Sequence, residues 1–157
     1  MGVPLLAVAP ADAADAKPRS GGKSPGMATL PNGYHFVERN ALAVEDVMAL
    51  RESVGWGDDD RQRWNDCFEQ SLCIVGVATE SNQLVGVGFV AGNARHSVFC
   101  DLCVHPKHRG RGLALSLFQW RLDWIRRHGI PYLYTSLSAQ NPLRRAYEEA
   151  GFFIAIE

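Results

Sequence analysis

Two kinds of hydrophobic spacing alternate along the chain. Leu42, Val47, Leu50 and Val54 recur at helical intervals and stop at Gly55 and Gly57. Residues 58–71 read as a polar, charged helix with Trp64 and Phe68 four apart. The strongest helical period covers residues 112–128. There Leu113, Ala114, Leu117, Phe118, Trp124 and Ile125 share one arc, while Ser116, Gln119, Asp123, Arg126 and Arg127 take the other. Arg121 falls inside the apolar arc, where no sequence rule puts a cation. Gly129 and Pro131 stop that helix. Six apolar runs have strand length: Tyr34–Arg39, Cys73–Thr79, Leu84–Ala91, Ser97–Val104, Tyr132–Leu137 and Phe152–Ile156. Ser81-Asn82 and Gly92-Asn93 supply turns between the middle three, which predicts an antiparallel meander. A further helix follows Asn141 as cap and Pro142 in the first position, and Gly151 ends it. The order β-α-α-β-β-β-α-β-α-β implies an α/β (α+β) fold, with a mixed, mainly antiparallel central sheet and helices on both faces.

Residues 1–33 do not fit this pattern. They hold five of the eight prolines and none of the fifteen aromatic residues. Without large apolar side chains such a stretch has little to offset the entropy of ordering, so residues 1–33 are expected to be a disordered tail before one domain over residues 34–157. The short apolar run near Val3 is broken by Pro4 and has no basic residue ahead of it, which argues against a secretory signal. Met27 is a second candidate start. Sixteen basic residues against seventeen acidic ones give a net charge of −1, so no overall field points to nucleic acid. Apolar runs stay short of a membrane span. Four cysteines are too few for a disulfide scaffold, and a reducing, cytoplasmic setting is expected.

Chemistry concentrates between the run ending at Val104 and the strongest helix, in His105-Pro106-Lys107-His108-Arg109-Gly110-Arg111-Gly112. Proline ends the strand, and two glycines and two arginines lead into a helix N-terminus. Its free amides and positive dipole end suit phosphate oxygens, and the arginines can add charge-assisted bonds. A basic turn without a ligand has the same composition. No Gly-Lys-Ser/Thr follows, and Leu115 stands where a dinucleotide loop has its third glycine. Tyr147 lies on an i, i+3, i+4, i+7 stripe with Leu143, Ala146 and Ala150, which also suits a core tyrosine. Asp101 alternates with Phe99 and Cys103 and so is expected on their face. Cys100 and Cys103, three apart on a strand, should face opposite ways, so no shared metal or disulfide is expected there.

Arg109-Gly110-Arg111-Gly112-Leu113-Ala114 resembles the Gln/Arg-x-x-Gly-x-Gly/Ala signature of the GNAT superfamily, N-acyltransferases that use acyl-coenzyme A. The preceding Asp101-Leu102-Cys103-Val104-His105-Pro106 resembles the segment before that signature. Asn141 through Phe152, with Tyr147 and Gly151-Phe152, is similar to the family's second motif, and Ser53-Val54-Gly55-Trp56 to a bacterial and plastid-type branch. The likeness covers about residues 34–157.

The resemblance implies acetyl-CoA as co-substrate and no metal. It places the pantetheine arm against the backbone of Leu102, Cys103 and Val104, and the diphosphate on the amides of Arg109, Gly110, Arg111, Gly112, Leu113 and Ala114, with Asn141 touching the arm. It makes Tyr147 the general acid in a direct transfer to a primary amine, of a small molecule or of a protein. Asp101 is a base, an amine ligand or a structural carboxylate, and Cys100 replaces the first of an acidic pair seen in polyamine-type relatives. The family adds a last strand after the Gly-Phe strand that is not found before Glu157, so an open sheet edge, a truncation or exchange in a homodimer is expected. Two other functions fit the same residues, a silent acyl-CoA-binding module and a nucleotide-binding domain.

Overall fold

The three consecutive apolar runs pair as the expected meander, and the rest of the sheet grows from its two sides. The structure, a computed structural model, describes residues 5–8, 28–57, 60–138 and 140–154. The strands are β1 (Leu5–Val8), β2 (Tyr34–Glu38), β3 (Cys73–Thr79), β4 (Leu84–Gly92), β5 (His96–Val104), β6 (Tyr132–Ser136) and β7 (Phe152–Ile154). The helices are α1 (Val44–Ser53), α2 (Arg61–Gln70), α3 (Leu113–Arg127) and α4 (Arg144–Glu149). They form one sheet in the order β2-β3-β4-β5-β6-β1-β7. The pairs β2–β3, β3–β4 and β4–β5 are antiparallel and β5–β6 is parallel.

Two expectations change here. Leu5–Val8, read from sequence as part of a disordered tail, is a strand. It lies antiparallel to both neighbours, with Leu5 opposite Ser136 and Val8 opposite Leu133 on one side and Phe152 on the other. Leu5–Val8 therefore stands between β6 and β7. Residues 1–4 and 9–27 lie outside the described residues, as do Asp58, Asp59 and the end of the last expected strand. Residues 28–30 lead back to the domain, where Ser116 Oγ donates to the Thr29 carbonyl at 2.6 Å.

Helices cover both faces, as the two-period pattern requires. Val47 and Leu50 of α1 and Trp64 and Phe68 of α2 pack on Ile74, Val87, Phe89 and Cys103. On the other face Leu113 and Leu117 of α3 meet Val75, Val77, Val85 and Val104. Further along, Phe118, Leu122 and Ile125 join Tyr147 of α4 against Val90, Phe99, Leu133 and Phe152. Each large apolar side chain so buried contributes about 1.5–3 kcal/mol. Among the described residues, no helix is long and apolar enough to cross a membrane.

The second change is a bulge in β5. Val87 pairs with Cys103 and Phe89 with Cys100, so Asp101 and Leu102 both stand opposite Gly88. Asp101 takes φ = +51°, a left-handed conformation that a short polar residue tolerates. The extra residue resets the alternation. Phe99 faces α3 and α4, but Cys103 faces α1 and α2, and Leu102 and Val104 take over the α3 side. The expected common face of Phe99, Asp101 and Cys103 is thus broken. Cys100 and Cys103, expected on opposite faces, pack into the same cluster. Both are free thiols, pushed up to about 11 chiefly by burial. Among the described residues no group of three His, Cys, Asp or Glu side chains is placed to hold a metal.

Candidate functional site

The parallel pairing of β5 with β6 runs from His96–Tyr132 to Phe99–Thr135 and stops. Beyond it, among the described residues, Cys100–Val104 are not in register with β6. The resulting cleft has a volume of about 530 Å³. Leu102, Cys103 and Val104 form one wall. Asn141, Pro142 and Leu143, leading into α4, form the opposite one, and the loop before α3 closes the end.

That loop is shaped by capping. His105 Nδ1 accepts from the Lys107 amide at 3.2 Å, and Pro106–His108 make a single tight turn. Gly110 and Gly112 have φ of +74° and +78°, which glycine adopts without strain. The first bond of α3 runs from the Ser116 amide to the Gly112 carbonyl at 3.0 Å. The amides of Leu113, Ala114 and Leu115 therefore have no acceptor within the helix, and all three residues line the cleft. Arg109 Nε donates to the Val104 carbonyl at 3.1 Å, tying the loop to the strand end. This end of the cleft offers unpaired amides, a cation and a helix dipole, which is the donor set an anionic diphosphate requires.

Of the residues expected to hold the co-substrate, Leu102, Cys103, Val104, Arg109, Gly110, Gly112, Leu113, Ala114 and Asn141 all line this cleft. Arg111 does not. Its guanidinium donates to the Tyr34 hydroxyl and lies 6.0 Å from that ring, and Tyr34 also bonds His108 Nδ1 at 2.9 Å. Arg111 thus fastens the loop to β2. Partial burial, then the neighbouring Arg111, His105 and Lys107, hold His108 below the usual histidine range. Asn141 Oδ1 accepts from the Leu143 amide at 2.9 Å, so the residue expected as helix cap makes a turn ahead of α4.

Neither of the two expected catalytic side chains lines this cleft. Tyr147 follows Leu143 by one helical turn and is 2% exposed, with its ring 4.3 Å from Phe118 and 4.9 Å from Phe152. Burial raises its phenol above the ordinary tyrosine value, and Arg121 and Thr135 oppose that rise. Asp101 pairs with Arg51 of α1, whose guanidinium sits 4.7 Å from the Trp64 ring and 5.4 Å from Trp56. Trp56, 46% exposed, and Val54 border the cleft mouth. Sequence reasoning missed Arg51, because nothing local links a residue of α1 to a carboxylate fifty positions away.

Comparison with known proteins gives the family. The sequence profile of the Acetyltransferase (GNAT) family matches residues 41–152. A streptothricin acetyltransferase from Streptomyces lavendulae is 26% identical over 122 residues, 76% of this chain and 64% of the relative. The chain thus spans less than two thirds of that protein. A GNAT-family acetyltransferase structure from Streptococcus pneumoniae superposes with a TM-score of 0.64 at 20% identity, covering 77% of this chain and 88% of the other. A GCN5-related N-acetyltransferase from Sphaerobacter thermophilus gives 0.65 at 17% identity, over 97% and 48%. These two likenesses speak for the fold alone. The family match spans most of the chain, through the phosphate-type loop and the α4 motif: this protein belongs to the GNAT family of acetyltransferases.

Proposed function

We propose that the protein transfers an acetyl group from acetyl-CoA to a primary amine. The observation that supports this most is the cleft itself, with an unpaired strand edge along one wall and free amides at its end. Leu102 to Val104 would pair with the amide groups of a pantetheine arm as an added strand. The amides after Gly112, with Arg109, would hold the diphosphate. When bound, acetyl-CoA supplies the activated acyl carbon.

The amine nitrogen attacks that carbon, the C–S bond breaks, and sulfur leaves with the electron pair. A primary amine is mostly protonated at neutral pH, so it must shed a proton before attack, and the departing sulfur needs one. Tyr147 is our candidate for the second task. Leu143 brings α4 to the cleft, and Tyr147 stands one turn behind it. Asp101, already engaged by Arg51, is better suited to holding the bulge than to accepting the first proton. The name of the Streptomyces relative makes streptothricin a candidate acceptor to test first, and the apolar mouth at Val54 and Trp56 would suit an acceptor with a nonpolar part.

A second reading, a binding module without turnover, draws support from the depth of Tyr147. Both readings predict ligand binding. Saturating acetyl-CoA is expected to raise Tm by roughly 5–10 °C where ATP does not. Arg109→Ala should weaken binding about 10- to 100-fold, the range for a charge-assisted bond. Free-thiol release across a panel of amines separates the readings. Release with at least one amine supports transfer, and binding without release under every amine favours the silent module. No acetyl-CoA effect on Tm would overturn both.

A further inference from the structure

Arg121 is the residue that the apolar arc of α3 left without an account. It is fully buried, and its described hydrogen bonds all run to backbone carbonyls. Nη1 donates to the Phe89 carbonyl at 3.0 Å and to the Cys100 carbonyl at 3.3 Å. Nε leans on the Leu117 carbonyl of its own helix at 3.4 Å, and Nη2 makes no hydrogen bond. The guanidinium carbon stands 4.3 Å from the centre of the Phe99 ring. Burying a cation is costly, and apolar replacements of buried ions are often neutral or stabilising. Packing alone therefore gives no reason for an arginine here.

The two acceptors of Nη1 mark one place in the sheet. Phe89 and Cys100 are the last pair of β4 and β5 before the bulge, and the next pair is Val87 with Cys103. One residue earlier on β5, Phe99 and Thr135 are the last pair with β6. A bulge interrupts a ladder, and a buried carbonyl at the interruption needs a donor from elsewhere. Arg121 brings one from α3 to both carbonyls. Gly88, across from the bulge, makes the room, since a Cβ there would stand 2.9 Å from Nε and 3.1 Å from Cζ. From the opposite face Arg51 of α1 pairs with Asp101, the bulge residue itself. Guanidinium groups from two helices thus grip the bulge from the two sides of the sheet. The bulge also decides which side chains meet which layer. A slip of one residue turns a strand over, so without it Leu102 and Val104 would point toward α1 and α2, and Cys103 toward α3.

We propose that Arg121 is a positioning residue for acetyl-CoA: its grip on the Phe89 and Cys100 carbonyls fixes the β5 bulge and so sets Leu102, Cys103 and Val104 as the wall against which the pantetheine arm lies. The choice of ligand rests on the transferase reading, and the hold on the bulge does not.

Two measurements on the full-length protein test this, acetyl-CoA affinity by calorimetry and amide exchange resolved along the chain. Arg121→Met should weaken acetyl-CoA binding about 10-fold, within the range for residues that act without touching the ligand. It should also speed exchange at residues 100–104 about 10-fold, with exchange across β2 and β3 unchanged. Gly88→Ala keeps the arginine but displaces its guanidinium, and should reproduce both effects. The double variant should bind no worse than the weaker-binding single one, since both substitutions break the same bonds. Arg121→Lys, which returns a donor, should recover part of the affinity, and Arg121→Gln serves if Arg121→Met does not fold. Folded variants that bind acetyl-CoA like the parent overturn the proposal and leave acetyl transfer standing. Faster exchange spread evenly over the sheet also overturns it, because that is what a loss of global stability produces. If the parent itself binds no acetyl-CoA, the transferase reading falls, while faster exchange confined to residues 100–104 still upholds the hold on the bulge.

Discussion

Starting the chain at Met27 is expected to lower Tm by roughly 10 °C or more and to leave a product prone to self-association. The missing segment carries β1, which is laddered on both sides, to β6 and to β7. At about 1 kcal/mol per backbone hydrogen bond, roughly 4 kcal/mol or more is at stake. Total stabilities of about 5–15 kcal/mol make that a large share, and a domain of this size loses about 2–4 °C per kcal/mol. The damage also spreads. Among the described residues β7 joins the sheet through β1 alone, and β7 carries Phe152, which packs on Phe99, Phe118 and Tyr147. Losing β1 should therefore loosen α4 and bare two strand edges. Thermal melts and size-exclusion chromatography of the two lengths test this. Coincident melting curves would show that the strand adds nothing.

Tyr147→Phe is expected to reduce turnover about 100-fold while acetyl-CoA affinity and Tm stay close to the parent values. Phenylalanine keeps the contacts with Phe118 and Phe152, so packing survives. Under the proposed role, what would disappear is the proton for the departing sulfur, and a positioned general acid is worth about 10²–10⁴-fold. The effect should fall on kcat with little change in KM for the thioester, because the phenol does not line the cleft. Equal turnover in the two proteins would mean that sulfur leaves unaided or takes its proton from water, and that Tyr147 is a core side chain.

Much of this was readable before any coordinates. Element order followed from periodicity, because every helix has one buried stripe and the meander strands are bounded by turn residues. The shape of the loop from His105 to Ala114 was also readable, since its causes are local: a proline, two glycines and a helix start. What escaped detection depends on distant partners. Leu5–Val8 is too short to stand out, and only its pairing with β6 and β7 makes it a strand. The bulge at Asp101 could not be read from β5 alone, because it is defined by Gly88 across the ladder. That bulge misled the facing of Cys100 and Cys103. Tyr147 was ambiguous for a physical reason, since the stripe that packs α4 is the one that turns toward the cleft. Arg121 made no sense until Phe89 and Cys100 turned their carbonyls toward it.

The pairing of Asp101 with Arg51 bears on how an acceptor must arrive. A carboxylate already matched by a guanidinium exerts little pull on an ammonium group, so Asp101 offers a charged amine little foothold. Under the proposed transfer, an amine that enters as its free base would have its own basicity dictate where its rate rises with pH. Profiles for weakly and strongly basic amines should be offset from each other accordingly. Superimposed profiles would mean that the protein removes the proton itself.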